Sequence, residues 1–138
     1  MKGLARIAIS IDKKLMDRFD SSIEEKGYSN RSEAIRDLMR DSLVEMEWQA
    51  DAEVVGTITL VYNHHTRELP DTLNDLQHNY FHSIVSNLHI HLDEHNCLEV
   101  MVVRGKSSDV KKLADRLIGT RGVVHGKLTM ATTGKALA

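Results

Sequence analysis

The chain has 138 residues, of which 41% are apolar and 28% charged, with a formal net charge of −2 and a single cysteine. These values describe a soluble globular protein of one ordinary domain or two small ones, and they exclude a membrane span, since no run approaches the ~18 apolar residues one needs. A lone cysteine excludes an intrachain disulfide and leaves a thiol free as a metal ligand or nucleophile.

The opening Met-Lys-Gly-Leu-Ala-Arg-Ile lacks the long apolar core of a signal peptide, so the expected compartment is the cytoplasm. Net charge does not announce nucleic-acid binding, but its distribution is uneven. Residues 1–18 carry Lys2, Arg6, Lys13, Lys14 and Arg18 against Asp12 and Asp17, while all eight histidines lie beyond residue 63. Two segments with different tasks are expected, bounded at 1–48 and 54–138.

From Leu4 to Ile11 the residues alternate, with Ile7, Ile9 and Ile11 on one face and Arg6, Ala8 and Ser10 on the other. Period two predicts a half-buried strand. Asp12 starts a helix in which Leu15, Met16, Phe19 and Ile23 recur at helical spacing, and Gly27 ends it. Asn30-Arg31-Ser32-Glu33 reads as a capping box opening a second helix with Ala34, Ile35, Leu38, Met39 and Leu43 as its apolar stripe. One strand and two helices cannot bury enough surface alone, and a lone strand leaves an open edge. A dimer resolves both problems: two copies of the strand pair antiparallel above four interlocked helices. This is the ribbon-helix-helix arrangement, whose two-stranded ribbon fits the DNA major groove. Arg6, Ala8 and Ser10 then face base edges, and the amides near Arg31 and Ser32 hold a phosphate. The competing reading is a dimerisation module that never touches DNA; the small, basic outward face favours the ribbon.

Residues 47–53 show no sustained apolar period and read as the helix end and a short connection. Strands are predicted at 54–62, 88–93, 97–104 and 123–130, with helices near 70–86 and from Ser107 or Ser108 to Gly119. The second domain is therefore βαββαβ, and the whole chain α+β: a ribbon-helix-helix domain followed by a ferredoxin-like domain of the ACT type. Fold alone gives no function.

Chemistry concentrates in His89-Ile90-His91-Leu92-Asp93-Glu94-His95-Asn96-Cys97-Leu98-Glu99. A three-residue loop at 94–96 would pair Asp93 with Cys97, His91 with Glu99 and His89 with Met101. Alternation then sorts His89, His91, Cys97 and Glu99 onto one face and Leu88, Ile90, Leu92, Leu98, Val100 and Val102 onto the other. The apolar face is expected beneath the helices, leaving two imidazoles and a thiol on the helix-free face. His78 lies about 140° around its helix from Leu73, off the apolar stripe. It is thus expected on the wrong side of the sheet, and becomes a candidate fourth ligand supplied by another subunit. His82 and His95 read as exposed residues, His125 as a strand-end histidine, and His64 and His65 as a polar turn with at most weak metal affinity. Glu99 suits a supporting acceptor beside the ligands.

With these stretches in view, the chain resembles the nickel-responsive transcription regulators, the NikR family. The most specific matches are Asn30-Arg31-Ser32-Glu33-Ala34-Ile35-Arg36-Asp37, the His89-x-His91 pair with Asp93 to Glu99, and Gly122-Val123-Val124-His125-Gly126. The resemblance implies a homotetramer, a dimer of dimers, with one Ni(II) per subunit held by His89, His91 and Cys97 of one chain and His78 of another. It places Tyr62 and Gln77 around the nickel and maps a weaker cation site onto Glu33 and Asp37, residues that capping and helix-surface charge also explain. It places base contacts on Arg6, Ala8 and Ser10, although Ala8 and Ser10 depart from a hydroxyl-bearing pattern in some members.

The expected function is a nickel-dependent repressor that binds double-stranded operator DNA and shuts down nickel uptake, with no enzymatic activity and no membrane partner. A metalloenzyme needs an open coordination position and a general base, which four protein ligands argue against. The remaining alternative is a ribbon-helix-helix regulator whose ACT-like domain senses a small organic ligand or another transition metal.

Overall fold

The computed structural model describes residues 3–137. The chain divides into two compact units, Met1–Arg40 and Asp41–Ala138. Among the described residues, no helix is long and apolar enough to cross a membrane.

In the first unit, residues 3–11 adopt no regular secondary structure, and Ile7 and Ile9 are 74% and 67% exposed. The predicted strand at 4–11 is therefore absent from the single chain. The physical reason is that a strand exists only by pairing, and no other segment of this unit offers an edge. Helix α1, Lys13–Glu25, starts where Asp12 accepts the Leu15 amide at 3.2 Å, and the chain leaves it through Gly27 at φ +82°. Helix α2, Arg31–Gln49, is capped by Asn30 Oδ1, which accepts the Glu33 amide at 2.9 Å. The other half of the predicted box is replaced, because the Glu33 carboxylate pairs with Arg36.

The end of α2 belongs to the second unit. Trp48, at 2% exposure, is buried in that unit's core, and its indole N–H donates to the Ala131 carbonyl at 2.9 Å. Strand β1, Glu53–Asn63, passes beneath it at Gly56, where a Cβ would come within 2.7 Å of the Thr129 carbonyl and 3.3 Å of the indole. There follow α3 (Leu69–Asn79), a 3-10 turn (Phe81–Ser83), β2 (Ile84–His91), β3 (Asn96–Lys106), α4 (Ser107–Ile118) and β4 (Val123–Met130). The sheet is antiparallel in the order β2-β3-β1-β4, the ferredoxin-like arrangement.

The helix predicted over 70–86 ends at Asn79. The Tyr80 amide folds back onto the Leu76 and Gln77 carbonyls, and Ile84 is drawn into the sheet opposite Val103. Strand pairing of a β-branched segment wins over continued helical periodicity. The start of α4 is capped by a residue from outside the helix. Ser107 is buried and donates to the Trp48 carbonyl at 2.6 Å, and Asp51 accepts the Ser108 amide at 2.9 Å.

Which face is covered decides where the site lies. Val54, Ile58, Leu60 and Tyr62 of β1 lie opposite Gly105, Met101, Glu99 and Cys97 of β3, and alternation buries this set beneath α3 and α4 with Leu73, Val110, Leu113 and Leu117. Gly126 continues the face on β4: a Cβ there would lie 2.6 Å from Ile118. The helices therefore cover the face carrying Cys97 and Glu99, contrary to expectation. Leu88, Ile90, Leu98, Val100 and Val102 line the helix-free face, where Leu88 and Ile90 remain 57% and 42% exposed.

Candidate metal centre

The hairpin of β2 and β3 pairs His91 with Cys97 and His89 with Glu99. This is two residues away from the predicted register of His91 with Glu99. The loop is longer than expected because Asp93 organises it, accepting the His95 and Asn96 amides at 2.8 and 2.7 Å while the Leu92 amide donates to the Asn96 carbonyl. Those amides hold the Asp93 carboxyl below its ordinary pKa, the Asn96 bond contributing most. A slip of two preserves the face of every side chain, whereas a slip of one would reverse them. His89, His91, Cys97 and Glu99 therefore do share a face, as alternation requires.

Their surroundings differ sharply. His89 and His91 are exposed at the sheet edge, with ring centroids 5.2 Å apart. Cys97 is fully buried, its thiol donating to the Tyr62 carbonyl at 3.4 Å. Burial pushes the thiol pKa up; hydrogen bonding from Tyr62 opposes this and the charge of Glu99 adds to it. Behind the cysteine, Glu99 is only 5% exposed and accepts three donors: Tyr62 Oη at 2.6 Å, Gln77 Nε2 at 2.7 Å and Asn87 Nδ2 at 2.6 Å. Desolvation first, and then donation to Glu99, raise the Tyr62 pKa, so the phenol remains a donor throughout the physiological range. Tyr62, Gln77 and Glu99 are thus brought together.

His78 is not brought to the hairpin. It is exposed on α3, its ring stacked 6.4 Å from that of Phe81. The sheet does not separate it from Cys97, since α3 packs over the face in which Cys97 is buried. Among the described residues, no three His, Cys, Asp or Glu side chains are gathered closely enough to hold a metal. The donor set nevertheless fits a borderline-soft transition metal, two imidazoles and a thiol rising from one face.

Three further histidines converge here that the sequence offered only as turn residues. The His64 ring lies 5.1 Å from that of His91 and 4.1 Å from that of His65, and His65 lies 5.7 Å from His95. His64 Nδ1 is buried without a hydrogen-bond partner, and desolvation together with the neighbouring imidazoles lowers its pKa. The signal was the position of Asn63-His64-His65 at the end of β1, which antiparallel pairing brings beside the hairpin loop. His82 and His95 are exposed as expected, and His125, opposite Val61, is exposed on the other sheet face.

In the first unit, the Arg31 guanidinium donates to both oxygens of Asp20 at 2.8 and 2.7 Å. Ser32 is exposed, as are Arg6, Ala8 and Ser10. Glu33 pairs with Arg36, whereas Asp37 accepts from the Tyr28 hydroxyl at 2.7 Å and from Arg40 at 3.1 Å, so the two carboxylates have separate partners.

The sequence of the second unit matches a family described as the NikR C terminal nickel binding domain over residues 55–131, and residues 5–45 match the ribbon-helix-helix proteins of the copG family. The chain is 62% identical over 138 residues to a protein of Geobacter metallireducens, covering 99% of each, and 58% identical to one of Pyrococcus furiosus, covering 96% of this chain and 97% of the other. Both carry, provisionally, the name nickel-responsive regulator. The chain belongs to the nickel-responsive regulator family. This regulator accordingly joins a ribbon-helix-helix DNA-binding domain to a nickel-binding α+β domain. An uncharacterized Thermotoga maritima protein of known structure, 17% identical, matches 58% of the regulator and 99% of its own length with a TM-score of 0.53, a likeness of fold alone.

Proposed function

We propose that this regulator is a nickel-dependent repressor, active as a homotetramer, that binds operator DNA when loaded and lowers nickel uptake. The observation that carries the reading is the shared face of His89, His91 and Cys97, with Glu99 anchored behind them by Tyr62 and Gln77. Those three side chains would hold the metal, with His78 from a second copy completing three imidazoles and one thiolate, a set suited to square-planar Ni(II). The Cys97 thiol, raised by burial, must lose its proton to serve.

The need for a second copy is supported by two features. His78 is exposed and joins no metal-holding cluster among the described residues, and the apolar helix-free face of Leu88, Ile90, Leu98, Val100 and Val102 offers a surface for assembly. A site divided between chains gains its full binding energy only in the assembled state, so loading favours whichever assembly places the DNA-binding ribbons correctly. In that assembly Arg6, Ala8 and Ser10 of two antiparallel strands would face base edges in the major groove, near Arg31 and Ser32 at the phosphates. Glu33 and Asp37 could join a weaker cation site only by exchanging the partners they now hold.

A nickel titration of wild type and Cys97→Ala tests the proposal. A thiolate-to-nickel absorption band and nickel-dependent retention of operator DNA are both expected in the wild type and lost in the variant. Their persistence in Cys97→Ala would remove the site.

A further inference from the structure

Asn87 stands two residues before His89 on β2, opposite Met101, and it has no assigned role. Its Nδ2 donates to Gln77 Oε1 at 2.7 Å and to Glu99 Oε2 at 2.6 Å. Gln77 Nε2 donates to the same Glu99 oxygen at 2.7 Å, so three side chains from α3, β2 and β3 close a triangle. Both ends of the Gln77 amide are engaged, which sets its orientation and holds the last turn of α3 against the hairpin. The next residue along α3 is His78, and the next residue on the same face of β2 is His89.

We propose that Asn87 is a positioning residue for the metal centre: acting through Gln77, it fixes the α3 turn that presents His78 relative to the hairpin that presents His89, His91 and Cys97. The inference rests on the nickel-site reading above. Loss of the Asn87 amide leaves the Gln77 carbonyl without its donor and takes one of three donors from a buried carboxylate. Its effect on metal binding is that of a residue supporting the ligands, on the order of 10-fold to 100-fold in affinity.

The test compares wild type with Asn87→Val, Asn87→Thr, Gln77→Ala, the Asn87→Val/Gln77→Ala double variant and Cys97→Ala. Each is titrated with Ni(II) against a chelator, and amide exchange over residues 74–79 is measured in the metal-free protein. Asn87→Val keeps a strand-favouring shape at an exposed position, and Asn87→Thr retains one donor, so it stands in should the valine variant fail to fold. Asn87→Val is expected to leave the absorption band in place, since no ligand changes, while weakening nickel binding by about 10-fold or more and speeding exchange at the end of α3. Asn87→Thr should fall between it and wild type. The double variant should be no weaker than the weaker single one, because both act along one connection. Wild-type affinity in Asn87→Val, unchanged exchange, or additive losses would overturn the assignment of Asn87 alone. A band retained in Cys97→Ala would instead overturn the nickel site itself.

Discussion

Asp93 is the residue on which the hairpin's register turns, and its chemistry makes that dependence measurable. Two backbone amides bond to its carboxylate and hold its pKa below 3.8, the ordinary value. A depressed carboxyl contributes stability that is present above its unfolded pKa and lost as the pH falls through its folded value. Asp93→Asn should therefore melt below wild type at neutral pH. The gap should close as the pH drops under about 3.8, where a neutral Asp and an Asn become near equivalents. Melting temperatures measured across pH 2–7 check this, and a gap undiminished at the acid end would contradict it. At this scale the sequence was informative about identity and less so about distance. His89, His91 and Cys97 were legible as a set because alternation is a local rule. Asn87 was not, because an asparagine on a strand reveals its value only when Gln77 and Glu99, 10 residues before it and 12 after, are seen to meet it.

At the scale of elements, the end of α2 carries the most consequence. Trp48 lies in a stretch without apolar period, yet it fills the second unit's core between Gly56 and the Ala131 carbonyl. Its own carbonyl accepts Ser107 Oγ and Lys111 Nζ, which ties the helix terminus to the start of α4. One large ring can anchor an element that shows no stripe, since aromatic burial is concentrated in a single residue. Trp48→Ala should cost roughly 3–5 kcal/mol in denaturant unfolding of the second unit, the range for emptying an aromatic site in a core. A loss under about 1 kcal/mol, the size expected of a surface position, would show that the anchor is unimportant. The misplaced end of α3 has a related cause. Leu73, Leu76, Tyr80 and Ile84 fit a helical stripe, but Ile84 pairs with Val103 in the sheet.

For the whole molecule, the question is what covers the helix-free sheet face. Leu88, Ile90, Leu98, Val100 and Val102 form a continuous apolar strip that one chain leaves open. In the tetramer proposed above it is a buried interface, and Ile90 is not a metal ligand. Ile90→Asp should accordingly shift sedimentation toward smaller species and weaken nickel binding by more than 10-fold, through loss of the His78 that a second copy lends. An unchanged tetramer in that variant would place the interface elsewhere. The same reasoning applies to residues 3–11, whose isoleucines are exposed in the single chain and would pair as a strand in the proposed assembly.

The sequence by itself determined which residues share a face, the order βαββαβ, the caps of α1 and α2, and the family through its histidine and cysteine spacing. These are local matters, set by the periods of 2 and 3.6 and by side chains that bond to nearby amides. Only the tertiary structure decided which face of the sheet the helices cover. Both faces of the hairpin could be read as interior, one for its apolar residues and the other for its chemistry. The choice was made by β1, whose Val54, Ile58, Leu60 and Tyr62 lie opposite Gly105, Met101, Glu99 and Cys97 through cross-strand pairing. Burial on a sheet is cooperative across strands, so no single strand's pattern can announce it. The reversal put a thiol and a carboxylate under the helices, and left the greasier face uncovered in the single chain.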